Sequence, residues 1–221
     1  MTQVLSYPTD INHALNLGNA YSRTANLTHT YKKDDLIYFP DRPSNQIYCI
    51  TKGKIKITTY TDDGREVLKR ILTQGDVFGE LALVGEEKRT DFAIAMENNT
   101  VISTINVKDV YEFMNVNKEL SAKIFNLIGS RIKQLERKIE SLTFKSARSR
   151  IVDFIKDLAQ EKGKKIGYET LVANHYTHQD IADLTGISRQ TVTTILNELK
   201  SENQINMNRK RILIRDLPSL Q

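Results

Sequence analysis

Two stretches carry residue types and spacings that can do chemistry. The first is GDVFGELALVGEEKRTD, Gly75 to Asp91. Gly79 lets backbone come close to a ligand. The N–H groups of Glu80, Leu81 and Ala82 would face an anion if they open a short helical turn. Arg89 can pair with a phosphate, Thr90 can donate a hydroxyl hydrogen bond, and Glu80 can accept one from a sugar hydroxyl. The same residues read equally as a turn that only holds two strands together.

The second stretch is THQDIADLTGISRQTVTTILNELKSENQI, Thr177 to Ile205. Thr177 can cap a helix with Asp180 in capping-box position. Ile181, Ala182 and Leu184 give that helix an apolar side, and the small Ala182 lets a second helix cross closely. Gly186 permits a tight turn, and Ser188 caps the next helix. There Val192, Ile195, Leu196 and Leu199 fall at i, i+3, i+4 and i+7. The pattern predicts a helix-turn-helix. Its second helix keeps Arg189, Gln190, Thr193, Thr194 and Asn197 off the apolar face, with Arg189 and Gln190 in the first turn, where a recognition helix meets base edges. Arg suits guanine and Gln suits adenine in the major groove. Thr193 or Thr194 suits a thymine methyl or a phosphate. Beyond it, QINMNRKRILIRDL reads as two short strands flanking a basic tip, Arg209, Lys210 and Arg211, able to lie on phosphates. Lys210→Ala should weaken binding to all sequences alike and flatten the salt dependence.

These stretches need elements to position them. Tyr31 to Val107 alternates and turns in the manner of an antiparallel sheet protein. GKIKITTYT sets Ile55 and Ile57 against Lys54, Lys56 and Thr58, and Gly53, Gly64 and Gly75 recur at an 11-residue spacing, one strand plus one turn per step. After Val107 the period becomes helical. Phe125, Ile128, Ile132, Leu135, Ile139 and Leu142 are spaced +3, +4, +3, +4, +3, an a/d seam between densely charged flanks. So narrow a seam seeks an equivalent helix, and a parallel homodimer is expected. A basic joint, KSARSR (Lys145–Arg150), then leads to an amphipathic helix that stops at Gly163.

Charge and composition narrow the function classes. Residues 1–130 hold 15 Lys and Arg against 16 Asp and Glu, whereas 131–221 hold 17 against 11. The excess of positive charge therefore lies with the helix-turn-helix, as a polyanion partner requires. The single cysteine, Cys49, allows no intrachain disulfide, which suits a reducing cytoplasm, and no multi-cysteine metal site. No run of about 18 apolar residues would cross a membrane, and the first residues do not have the pattern of a secretory signal. Tyr31–Val107 contains no histidine, so an enzyme of cupin-like fold lacks its metal ligands.

In this order, a β-rich domain, a seam helix and a winged helix-turn-helix resemble the CRP/FNR family of bacterial transcription regulators. GDVFGELALVGEEKRT and ISRQTVTTILNEL carry the resemblance most specifically. It implies an α+β fold: an N-terminal antiparallel β-roll (a double-stranded β-helix or jelly roll) with flanking helices as a cyclic-nucleotide-binding-like effector domain over 1–108, a dimerisation helix region over 109–145, and a winged helix-turn-helix DNA-binding domain over 146–221. It implies a homodimer on a near-palindromic operator in double-stranded DNA, no catalysis, a cytoplasmic location, and a loop at Lys162, Lys164 and Lys165 that could touch RNA polymerase. The effector-binding residues would be Gly79, Glu80, Leu81, Ala82, Arg89 and Thr90; the DNA-binding residues Thr177, His178, Ser188, Arg189, Gln190, Thr191, Thr193, Thr194, Lys210 and Arg211. No metal site is expected, and three alternatives stay open for the β-roll: a cyclic nucleotide such as cAMP, another small effector, or no ligand. Three departures from the family pattern matter. Asp91 follows Arg89-Thr90 where a small apolar residue is usual. Leu135 and Glu136 replace the adjacent Thr-Ser that holds adenine. The recognition helix has Arg189-Gln190 for Arg-Glu and Thr194 for a second Arg, so a different half-site is expected.

Overall fold

The computed structural model describes residues 27–173, 176–208 and 211–221. They form two compact units that meet in sequence between Ile132 and Lys133, inside a long helix.

The first unit is built from two four-stranded antiparallel sheets. One has the order β1-β8-β3-β6, from Leu27–Tyr31, Thr100–Asn106, Gln46–Lys52 and Val77–Phe78; the other is β2-β7-β4-β5, from Leu36–Tyr38, Phe92–Ala95, Lys54–Tyr60 and Glu66–Thr73. The 11-residue rhythm has its cause in the turns: Gly53, Gly64 and Gly75 all have positive φ. Ile50, Ile55, Ile57, Leu72, Phe78 and Ala93 form a buried core with Tyr38 and Tyr48. The alternation of β4 breaks where the sequence suggested it would continue. A register shift between Ile57 and Thr58 sets both side chains inward, so Thr58 is buried and its hydroxyl lacks a partner.

A second cluster forms where Ile47, Cys49, Val77 and Ile105 meet two helices, α1 (Val107–Val116) and α2 (Lys118–Phe144). Val110 comes from α1, and Leu120, Ile124 and Leu127 from α2, at i, i+4 and i+7. Cys49 is a core thiol; burial first, then Asp76, pushes it up to about 11, so it stays protonated.

The second unit takes the rest of α2, then α3 (Ala147–Lys162), α4 (His178–Thr185) and α5 (Arg189–Ser201) around a sheet of order β11-β12-β10-β9. Its strands are Ile205–Met207, Arg211–Ile214, Glu169–Ala173 and Lys164–Ile166. The two strands expected for the wing pair antiparallel, as part of this larger sheet. One expectation is corrected: Lys164 and Lys165 lie on the edge strand β9 and Lys162 ends α3, instead of all three in a loop. The basic joint is also more than a connection. Ser146 caps α3, Arg148 pairs with Glu198 and Glu202, and the Arg150 guanidinium donates to the carbonyls of Thr185 (2.9 Å) and Gly186 (3.1 Å). Arg150 thereby holds the turn between α4 and α5. Ile151, Ile155, Leu158, Val172, Ile181, Val192, Leu196 and Leu199 fill the core beneath.

No helix of the described residues is long and apolar enough to cross a membrane, and none of their His, Cys, Asp and Glu residues gather into a group able to hold a metal.

Candidate functional site

The Gly75–Asp91 segment folds as strand, 3-10 turn and loop. Gly79 has φ 76°, and a Cβ on it would come within 2.9 Å of the Tyr48 ring and 3.1 Å of the Arg89 guanidinium. Only glycine fits there. The 3-10 turn Glu80–Val84 follows, and its Ala82 N–H donates to the Gly79 carbonyl (3.2 Å), so that donor is committed within the turn. Leu81 and Thr90 are exposed, and Ala82 is buried.

Glu80 and Arg89, only 4% and 3% exposed, face the interior. Arg89 donates to the Gly79 carbonyl at 3.2 Å, to the Gln46 carbonyl, and to the Glu86 carboxylate at 3.0 Å. Its guanidinium lies 4.8 Å from the Tyr38 ring centroid and 5.5 Å from that of Tyr48. Its Nε is buried without a partner. Glu80 sits between two guanidinium groups, Arg70 at 3.2 Å and Arg131 of α2 at 3.8 Å. Asp91 takes Lys69 as its partner at 3.1 Å. Burial, with Asp91 beside it, pushes the Tyr38 phenol far up, so it stays a neutral hydroxyl. Arg89, Glu80 and Asp91 are thus brought into one region, but each is already paired within the chain. Arg70, Lys69 and Arg131 were not legible as members of this cluster, because they come from separate elements and no spacing links them to Glu80 or Asp91. Glu86 stands three residues before Arg89 in the same loop, but nothing local marks it out from its neighbour Glu87 as the partner.

In the second unit the capping box forms as its residues predict. Thr177 Oγ1 accepts from the Asp180 N–H (3.1 Å), and the Asp180 carboxylate accepts from the Thr177 N–H (2.7 Å). Gly186, φ 65°, closes α4, and a Cβ there would meet Leu142 at 2.7 Å. Ser188 accepts from the Thr191 N–H (3.1 Å) and shares its hydroxyl with that of Thr191 (2.7 Å). These caps direct the first turn of α5 outward, and Arg189 and Gln190 are exposed. Thr193 donates to the Arg189 carbonyl (2.9 Å) and lies 2.9 Å from His178 Nδ1, while Thr194 donates to the Gln190 carbonyl (3.2 Å). With its hydroxyl committed, Thr194 offers a methyl group. Arg211 is exposed at the start of β12, its N–H donating to Asn208. Arg209 and Lys210 lie outside the described residues.

The geometry now meets known proteins. The family model described as the cyclic nucleotide-binding domain matches residues 28–117, and the one described as the Crp-like helix-turn-helix domain matches residues 149–221. The global nitrogen regulator of Nostoc sp. is 29% identical over 189 residues, 85% of each chain. The CRP-like cAMP-activated global transcriptional regulator of Mycobacterium tuberculosis is 26% identical over 186 residues, 84% of this chain and 83% of that one. A CooA variant from Carboxydothermus hydrogenoformans shares the fold at a TM-score of 0.78, with 22% identity over 98% of this chain and 95% of the other. The chain belongs to the CRP/FNR family of transcription regulators.

In this CRP/FNR regulator the family's two sites differ in readiness. Helix α5 presents the Arg189 and Gln190 side chains to solvent, whereas the cassette turns Glu80 and Arg89 inward. On α2, the residues expected to form a seam are exposed: Phe125, Ile132, Leu135, Ile139 and Leu142 are 45–70% exposed, and Ile128 is half-buried. Leu142 also approaches Gly186, and Lys138 donates to the Leu184 carbonyl. Those contacts group the end of α2 with the helix-turn-helix unit. For the recognition helix, Arg189→Ala should cost about 1–3 kcal/mol at one base position and relax selectivity there, as competition binding with operator variants would show.

Proposed function

We propose that the chain is a homodimeric DNA-binding transcription regulator whose two α5 helices enter successive major grooves, about 34 Å apart, of a near-palindromic operator. The observation that carries this reading is the exposed first turn of α5, Arg189 and Gln190, set outward by the Ser188 cap and the Arg150-held turn. The uncovered stripe from Phe125 to Leu142 supports the dimer, because large apolar side chains regularly spaced on one helix gain about 1.5–3 kcal/mol each on full burial. Arg189, Gln190, the Thr194 methyl and Asn197 read bases. Arg211 and Lys210 lie on phosphates.

The cassette invites two readings. Its family match, and the name of the M. tuberculosis relative, support a cyclic nucleotide. The pairing in this chain supports the other: Glu86 occupies Arg89, and Arg70 with Arg131 occupy Glu80. A phosphodiester would have to displace Glu86 from Arg89 within a buried site, at the cost of an unpaired carboxylate. We take the cassette to be an internal ion network that ties the β-roll to α2 without a nucleotide.

Selection of operator sequences from a random pool, followed by titration with and without cAMP or cGMP, tests both parts. The expected result is a near-palindromic consensus, steep weakening with added salt, and the same affinity with either nucleotide. Binding that ignores salt would sink the first part; tighter binding with a nucleotide would sink the second.

A further inference from the structure

The first unit contains a cavity of about 650 Å³ that the cassette residues do not line. It lies between β2, the start of β3, His29 of β1 and the loop that follows β2. Its volume falls within the roughly 300–1,000 Å³ of small-molecule sites.

The lining is selective in three respects. The rings of Tyr38, Phe39 and Tyr48 contribute to the wall, and Tyr48 is held rigidly by stacking on Phe78 at 4.9 Å. Among the described residues the charge is of one sign: Arg42 lines the cavity, and no Asp or Glu does. The Arg42 guanidinium rests 4.7 Å from the Phe39 ring centroid, which pre-orients it beside the aromatic wall. The polar groups are suited to donate. The Tyr48 hydroxyl donates to the Gln46 side-chain carbonyl (3.2 Å), which leaves the Gln46 amide N–H groups for a ligand, and Asn45 adds a second amide. An apolar planar wall with donors and a cation at its edge matches a flat organic anion.

The cavity loop is also tied to the cassette. The Asp41 N–H donates to the Arg89 carbonyl (3.0 Å), the Arg89 N–H to the Arg42 carbonyl (2.9 Å), and the Ser44 N–H to the Glu87 carbonyl (2.8 Å). Ser44 Oγ donates to the Glu86 carboxylate at 2.6 Å. A ligand that draws Arg42 inward moves the strand of chain that holds Arg89 and Glu86.

We propose that this cavity is an effector site for a small aromatic carboxylate, its ring against Phe39 and the edges of Tyr38 and Tyr48 that line the cavity, and its carboxylate on Arg42 and the Gln46 amide. This rests on the reading of the chain as a regulator and names an effector class outside the nucleotide cassette.

Calorimetric titration of the full chain with 2-naphthoate, and with its neutral isostere 2-naphthamide, tests the proposal. Naphthoate should bind about tenfold or more tightly than the amide, the factor that one charge-assisted hydrogen bond supplies. Arg42→Ala, on an exposed loop, should erase that preference while leaving the tyrosine near-ultraviolet dichroism of the fold in place. No binding of naphthoate up to millimolar concentration, equal binding of the amide, or an Arg42→Ala chain that still prefers the anion overturns the proposal. Operator binding by the unaltered chain without naphthoate is measured in parallel. If operator binding is present while naphthoate fails, only this inference falls; if operator binding is itself absent, the reading of the chain as a regulator falls.

Discussion

Ile139→Asp is expected to give a folded monomer that binds its operator about 100-fold or more weakly. The side chain is 64% exposed, so the substitution removes no core packing from its own chain. In the proposed dimer the same position lies at the a/d seam, where each seam residue inserts between residues of the partner helix. A carboxylate there is desolvated opposite an identical carboxylate, and both effects oppose pairing. Loss of the dimer converts binding at two half-sites into binding at one. Linked sites gain roughly 10²–10⁴ in affinity over either alone, and that is the factor at stake. Sedimentation velocity reads the mass, and fluorescence anisotropy on a labelled operator reads the affinity. A dimer that survives Ile139→Asp, with operator binding unchanged, would remove the seam from the account.

Much of this was legible from local spacing. The capping box at Thr177 and Asp180, the turn at Gly186, the Ser188 cap and the apolar face of α5 are all decided within one or two turns of helix, so the residues themselves declare them. The glycine rhythm of the β-roll is local in the same sense. What escaped has a common physical cause. Strand β9 is three exposed residues at a sheet edge, with no buried face to impose alternation, so Lys164 and Lys165 read as loop. Thr58 is inward because of a register shift that depends on the pairing of β4 with β5. The ion pairs of Glu80 with Arg70 and Arg131 depend on tertiary proximity alone. Asp91 departs from the family pattern next to Arg89-Thr90, yet in the fold Lys69 takes Asp91, and the acid that holds Arg89 is Glu86. Residues with strong local rules were predictable, and charged residues whose partners come from other strands were not.

That exchange of partners changes what Arg89 is for. Replaced by alanine, it should cost the β-roll about 3–5 kcal/mol, the penalty for leaving one member of a buried ion pair behind. Its side chain is 2% exposed and that of Glu86 13%, so solvent does little to compensate. The carbonyls of Gly79 and Gln46 lose a donor as well, and two tyrosine rings lose the cation above them. The chain has no tryptophan, and Tyr38 and Tyr48 adjoin the lost group, so near-ultraviolet tyrosine dichroism during urea unfolding reports on this unit. Arg89→Ala combined with Glu86→Ala should recover part of the loss, because the second change removes the stranded carboxylate, and the double-mutant cycle isolates that pair. A nucleotide phosphate site predicts the reverse pattern. There the arginine waits for its ligand, its removal costs less than about 1 kcal/mol as for an ordinary exposed position, and what disappears is a response to cAMP. The two outcomes cannot both hold, since one guanidinium cannot be spent on Glu86 and kept free for a phosphate.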